Sequence, residues 1–297
     1  MHSLRQRLLF TAVPPVAASV VVLVFGSVGR SIWLMHLLTL GLAGVLAGAG
    51  SLLTRVVTRG TTPALALILL TLVGVTVPFL RDSAGPQRWA SIGPLNLYMA
   101  PLWLPSFLAA CSVYMCKRGN SAWPTFAATV GVSLLLAAQP DASQVLALLI
   151  GSTVGFARYR ADTKRSIITL IILALVTAWA FTRADSLAPV PYVEGVFALA
   201  LGHSRLAGVA VITSALVFLA GLYKCSNRGT AWLAAVAAYY AVLFACSVAG
   251  LTPAPLVGYG AGPLLGYGLL VAVSRWFEAA EMPNHALTVA APTASKT

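Results

Sequence analysis

Seven carboxylates stand among 297 residues, so each one asks for a reason. Glu194 falls in LAPVPYVEGVF (187–197), among prolines and apolar side chains. A carboxylate so placed can act as general base on a hydroxyl, because burial raises its proton affinity. The alternative is a solvated loop charge or a charge at a helix end. Asp185 is a rival acid in the same loop, and Arg183 and Arg205 flank both. Arg88 and Trp89, in GPQRWASIGP (85–94), suit an anionic group such as a lipid phosphate, held by charge-assisted hydrogen bonds. They equally suit an anchor at the membrane interface. Asp141, in QPDASQ (139–144), follows a proline as a helix N-cap does, a role compatible with lining a cavity. Tyr259 lies in PLVGYGAGPLLGYG (255–268), where proline and glycines fit a broken helix start beside a cavity. Close helix packing is the other reading there.

Little else offers chemistry. His2, His36, His203 and His285 are too scattered for a metal site. Cys111 and Cys246 fall within apolar runs and Cys116 and Cys225 beside basic loops, so no structural disulfide is expected. No Gly-rich nucleotide loop follows a strand, and the residues seen require neither metal nor other cofactor.

The elements that must position these groups are membrane spans. The chain is 59% hydrophobic with mean hydropathy +0.88, and 9% of it is charged, against roughly 25% in soluble domains. Runs long enough to cross a bilayer predict an all-α, polytopic helical membrane protein of about ten transmembrane helices. They lie near 8–29, 32–53, 62–80, 95–115, 122–138, 142–157, 166–182, 205–223, 230–249 and 257–275. The fifth and sixth are short and meet at QPD, so they are expected to tilt or to border a cavity. Pro14 and Pro15 interrupt the first run, which is read as an uncleaved span rather than a signal peptide. Pro78 and Pro105 are expected to kink the third and fourth spans. GLAGVLAGAG (41–50) carries Gly44 and Gly48, a spacing that lets helices approach closely.

The net charge of +12 is a topology signal rather than a nucleic-acid footprint. With the N-terminus inside, only Arg30, Arg81, Arg88, Arg183 and Arg205 of the 19 Lys and Arg fall outside. That is the positive-inside bias, with attraction to anionic lipid as a consequence. The chain is expected to form one membrane domain over 1–278, with a disordered cytoplasmic tail at 279–297 rich in Ala, Thr and Pro.

Three motifs, in order and at matching positions between spans, carry a resemblance. GPQRWASIGP is similar to a G-x-x-R-W-I-x-(L/I)-G-P pattern after the third span, with Gly85, Arg88, Trp89, Gly93 and Pro94 in place. QPDASQ resembles an (E/Q)-P-D-x-G-T turn through Gln139, Pro140 and Asp141. PLVGYGAGPLL resembles P-F-I-S-Y-G-G-S-S-L-L through Pro255, Tyr259, Gly260, Leu264 and Leu265. Over roughly residues 10–275 the sequence resembles the shape, elongation, division and sporulation (SEDS) family. The resemblance implies ten spans, an inner (cytoplasmic) bacterial membrane, cytoplasmic termini, and polymerisation of a lipid-linked precursor into peptidoglycan. It sets Glu194 at the position of the essential acid, with Phe197 and Ala198 matching the residues that follow. Tyr192-Val193 replaces the family's His-Thr pair, and Leu104 stands where the family has a lysine. On this reading Glu194 is catalytic. Arg88, Trp89, Asp141, Arg183, Arg205 and Tyr259 bind an undecaprenyl-diphosphate-linked substrate. Expected partners are membrane lipids, that precursor and a single-span transpeptidase-like protein, without nucleic acid. A non-catalytic membrane partner in envelope assembly and a lipid or solute transporter are the alternatives.

Overall fold

The computed structural model describes residues 3–26, 28–56, 61–80, 87–93, 95–183, 190–227 and 229–281. Its described residues form eleven α-helices and one two-stranded hairpin. They are α1 (Leu4–Phe25), α2 (Arg30–Val56), α3 (Thr62–Thr76), β1 (Trp89–Ile92), β2 (Leu95–Tyr98), α4 (Met99–Arg118), α5 (Trp123–Ala138), α6 (Ala142–Arg158), α7 (Thr163–Thr182), α8 (Val196–His203), α9 (Arg205–Cys225), α10 (Trp232–Val248) and α11 (Ala261–Glu281). Ten of these helices correspond to the ten expected spans, and α8 is an addition inside what the sequence suggested was one external loop.

The helix α4 is innermost. Its Leu104, Phe107, Ala109, Ala110 and Val113 are fully buried, and α3, α6, α10 and α11 pack around it. Outer helices turn branched residues such as Val45, Leu175 and Leu216 outward, as a lipid-facing surface requires. Some buried hydroxyls are satisfied within their own helices: Ser112 donates to Leu108 O (2.8 Å), Thr129 to Thr125 O (2.7 Å) and Thr177 to Leu173 O (2.7 Å). In a medium without water this removes the cost of an unpaired polar group. The helices α5, α6 and α10 have 16, 17 and 17 residues. At about 1.5 Å per residue they fall short of a ~30 Å hydrocarbon core, so at least one end of each is recessed.

Several sequence expectations need correction. The fourth span was expected from 95, yet 95–98 is strand β2, paired antiparallel with β1 in register Trp89↔Tyr98 to Ile92↔Leu95. Gly93, at φ +57°, makes the turn, and the alternation in WASI and LNLY favours a strand over the helix that follows. The first helix runs through Pro14 and Pro15 without a break. Pro78 sits in a 3-10 turn, Val77–Leu80, that ends α3. The last span begins at Ala261 rather than 257, and its helix runs to Glu281, past the expected boundary at 278. Residues 282–297 of the expected tail lie outside the described residues.

The glycines that matter for packing are not the pair at 44 and 48. A Cβ on Gly44 would meet nothing within 4 Å, and one on Gly48 only the Arg5 guanidinium at 3.9 Å. Gly50 lies against Ala272 O and Gly268 against Ala43 O, and a row of close approaches runs through Gly258, Gly262 and Gly266, four residues apart. Side chains along this row would overlap the carbonyl oxygens of Val193, Tyr98 and Pro101 in turn. This row lets the start of α11 and the chain before it lie directly on the backbone that carries the site. Gly262→Val should therefore destabilise by about 1–3 kcal/mol through overpacking, read as a lower thermal midpoint in detergent. Gly44→Val should leave that midpoint nearly unchanged.

Candidate active site

Two clusters form at the ends of α3, α5, α7 and α10. The hairpin builds the first. Register puts Trp89 opposite Tyr98, and their rings stack at 4.9 Å. Arg88, at the base of β1, is 7% exposed. Its Nε donates to Gln139 O (2.9 Å), and its Nη2 donates to Pro140 O. Gln139 Nε2 in turn donates to Val75 O at the end of α3 (2.7 Å). Asp141 stands at the N-cap position of α6 but its side chain makes no capping hydrogen bond there. Its carboxylate accepts the Tyr98 hydroxyl (2.5 Å) and the Ser143 hydroxyl (3.2 Å). Gln144 accepts the Tyr239 hydroxyl (2.7 Å), which ties in α10. Burial pushes the Asp141 carboxyl above the usual carboxylate range, while the Arg88 charge and the Tyr98 and Ser143 hydroxyls pull it back down. The QPD turn is thus a knot between α3, the hairpin, α5, α6 and α10. Tyr98→Phe removes a charge-assisted hydrogen bond to a buried carboxylate. It should cost about 1.5–3 kcal/mol, measured as a loss of thermal stability.

The second cluster carries Glu194. Val190 O accepts the backbone N–H groups of Val193, Glu194 and Gly195, closing a tight turn. Glu194 Oε2 accepts Val190 N (2.8 Å). The acid is half-buried and held back on its own turn. That turn is fastened to the non-helical stretch before α11: Ala254 N donates to Val193 O (3.3 Å) and Tyr259 N to Tyr192 O (2.8 Å). Ser247 Oγ lies 3.4 Å from Glu194 O as its donor. The Tyr192 and Tyr259 rings meet edge to face at 6.0 Å, and Tyr259 lies 6.1 Å from the His36 ring. His36 Nε2 and Ser19 Oγ are 2.8 Å apart, which ties in α1 and α2.

The stretch 251–260 joins the clusters. Thr252 lies beside the Tyr98 hydroxyl, and Ala261 packs with Ala90, Leu97 and Met99 of the hairpin region. Ala254, Gly258 and Tyr259 of the same stretch meet the Glu194 turn. Arg88, Trp89 and Asp141 therefore form one group, and Glu194 with Tyr259 another, bridged by one segment. Arg183 is exposed at the end of α7, its guanidinium 5.4 Å from the Trp179 ring centre, and Arg205 is exposed at the start of α9. Asp185 lies outside the described residues. Sequence reasoning missed Tyr98, Gln144, Tyr192, Tyr239 and His36 as members. A lone histidine within an apolar span was a signal for His36; the others carried none.

No family model matches the chain, and no curated protein matches it. Solved structures do. The crystal structure of the Thermus thermophilus rod shape determining protein RodA aligns at TM-score 0.68 and 24% identity, covering 90% of this chain and 95% of that one. The chain has the RodA fold. A mutant of the same RodA aligns at TM-score 0.69 and 22% identity over 90% and 96% of the two chains. A chain from a peptidoglycan synthase complex, solved in a study of coordinated polymerization and crosslinking, aligns at TM-score 0.66 and 20% identity over 90% and 96%. The three motifs of the resemblance thus led to the fold observed. In this RodA fold they occupy the hairpin and the α5–α6 turn, which build the first cluster, and the stretch before α11, which joins it to the second. The protein is a multi-pass membrane protein.

Proposed function

We propose that the chain is a SEDS-family membrane glycosyltransferase of peptidoglycan assembly, acting on an undecaprenyl-diphosphate-linked sugar. The observation that carries this reading is the Glu194 turn, hydrogen-bonded onto the broken segment before α11 within a RodA fold. Glu194 takes the proton of the acceptor hydroxyl. The acceptor oxygen bonds to the donor's anomeric carbon as the bond from that carbon to the diphosphate breaks. The leaving diphosphate accumulates negative charge, and fixed cations at its position lower the barrier. Arg183 and Arg205, exposed at the ends of the helices that flank the Glu194 loop, meet that charge. Arg88, with two of its nitrogens donating to carbonyls, positions the Asp141 turn and adds its charge from behind. Tyr259 and Trp89 line the approach.

The setting follows from the same reading. The protein resides in a bacterial inner membrane with both termini on the cytoplasmic side, in contact with membrane lipids, and works beside a single-span transpeptidase-like partner. The test is polymer formation from a purified lipid-linked precursor, wild type beside Glu194→Gln, with the folded state checked by thermal unfolding. Full activity in the variant removes Glu194 from the mechanism. A second reading, a non-catalytic membrane partner in envelope assembly, is favoured by one observation: Glu194 Oε2 is tied to its own turn at Val190 N. It expects no polymer from wild type and an unchanged cellular phenotype for Glu194→Ala.

A further inference from the structure

Consecutive helices in a bundle usually pack on each other, but α1 and α2 scarcely touch. The last helix, α11, packs against both and holds them apart. The result is an apolar groove of about 140 Å³ that opens to the surroundings. Ala12 and Val16 form one wall, Leu40, Ala43 and Gly44 the other, and Gly268 the floor. Leu9, Ala12 and Val16 are spaced so that they share one face of α1. Arg5 continues that face one turn beyond the groove, at the basic end of the bundle. Its Nε is buried without a hydrogen-bond partner among the described residues, and its guanidinium reaches to 3.9 Å of where a Cβ on Gly48 would stand. The only other basic residue of the first two turns, Arg7, is exposed and lies one turn before Thr11, which packs on Gly221 of α9, away from the groove.

From this arrangement we infer that the groove between α1 and α2 is a binding site for one anionic phospholipid, its acyl chain against α11 and its phosphate on Arg5. A transmembrane helix, about 10–12 Å wide with side chains, is too large for so narrow a groove, whereas a single acyl chain fits one. The walls offer dispersion contact and no polar partner, as a hydrocarbon chain requires. From Val16 to Leu9 the groove runs seven residues, about 10 Å at the helical rise, and Arg5 stands where a headgroup would follow. A guanidinium pairs with a phosphate through parallel charge-assisted hydrogen bonds, and anionic lipids populate the leaflet that faces basic loops.

The test uses the full-length protein in detergent, titrated with phosphatidylglycerol or phosphatidylcholine of identical acyl chains, with retained lipid counted by native mass spectrometry. Wild type should retain phosphatidylglycerol preferentially. Arg5→Gln should lower that preference about tenfold, the size of one charge-assisted contact, while Arg7→Gln should leave it intact. Gly44→Phe, at a position open enough to accept a side chain, should lower retention of both lipids. Equal retention of the two lipids by wild type overturns the site. So does an Arg5→Gln variant indistinguishable from Arg7→Gln. Should Arg5→Gln fail to fold, Gly44→Phe decides alone: unchanged phosphatidylglycerol retention overturns the proposal.

Discussion

Glu194→Gln should reduce polymer formation from a lipid-linked precursor by about 10²–10⁴-fold, the usual contribution of a positioned general base. Gln keeps the shape of the side chain, and its amide oxygen can still accept Val190 N, the contact that closes the turn. The turn itself is held by three backbone donors onto Val190 O, none of which the substitution touches. Folding and lipid association should survive, so the loss would report chemistry rather than structure. Glu194→Asp is the informative companion. Shortening the acid by one methylene withdraws the carboxylate by ~1 Å, which can cost on the order of 10²-fold when reacting groups are held in place. Activity should fall in both variants and fall further in Glu194→Gln. Wild-type rates in Glu194→Gln would hand the proton to another group.

Arg88→Met should be the most destabilising single change in the described part of the chain. The guanidinium donates to Gln139 O and Pro140 O, and its charge offsets the buried Asp141 carboxylate. Removing it takes two donors from buried carbonyls and leaves the Asp141 carboxylate with the Tyr98 and Ser143 hydroxyls but no neighbouring positive charge. Breaking a buried pair in this way costs about 3–5 kcal/mol. The thermal midpoint in detergent should drop accordingly, or the protein should fail to accumulate. Adding Asp141→Asn should recover part of the loss, because the second substitution removes the stranded charge. Arg88→Lys should not rescue fully: one ammonium cannot reproduce donors from Nε and a terminal nitrogen to two separate carbonyls. If Arg88→Met unfolds like wild type, the arginine is no brace.

Both expectations draw on features with different legibility in the sequence. The ten helices were readable because an apolar run of near-membrane length has few other uses, and among the described residues six helices are long and apolar enough to cross a membrane. The three motifs were readable as types at spacings, and their order led to the fold. The N-cap position of Asp141 was readable from Pro140-Asp141. The hairpin was not, because strands β1 and β2 are four residues each and sit against a long apolar run that outweighs them. The short helix α8 was hidden in the same way, its eight residues lying within a segment rich in prolines and glycine.

Composition, hydropathy and charge placement by themselves determined that this chain threads a bilayer many times, since each depends on residues adjacent in the chain. What tertiary structure alone decided is which distant groups meet. It placed Tyr98 against Asp141, fastened the turn of Glu194 to Tyr259, and set Gly258, Gly262 and Gly266 against the backbone of Val193, Tyr98 and Pro101. A hydrogen bond between residues tens of positions apart exists only once helices have chosen neighbours. That choice rests on the fit of many side chains at once, and no local pattern records it.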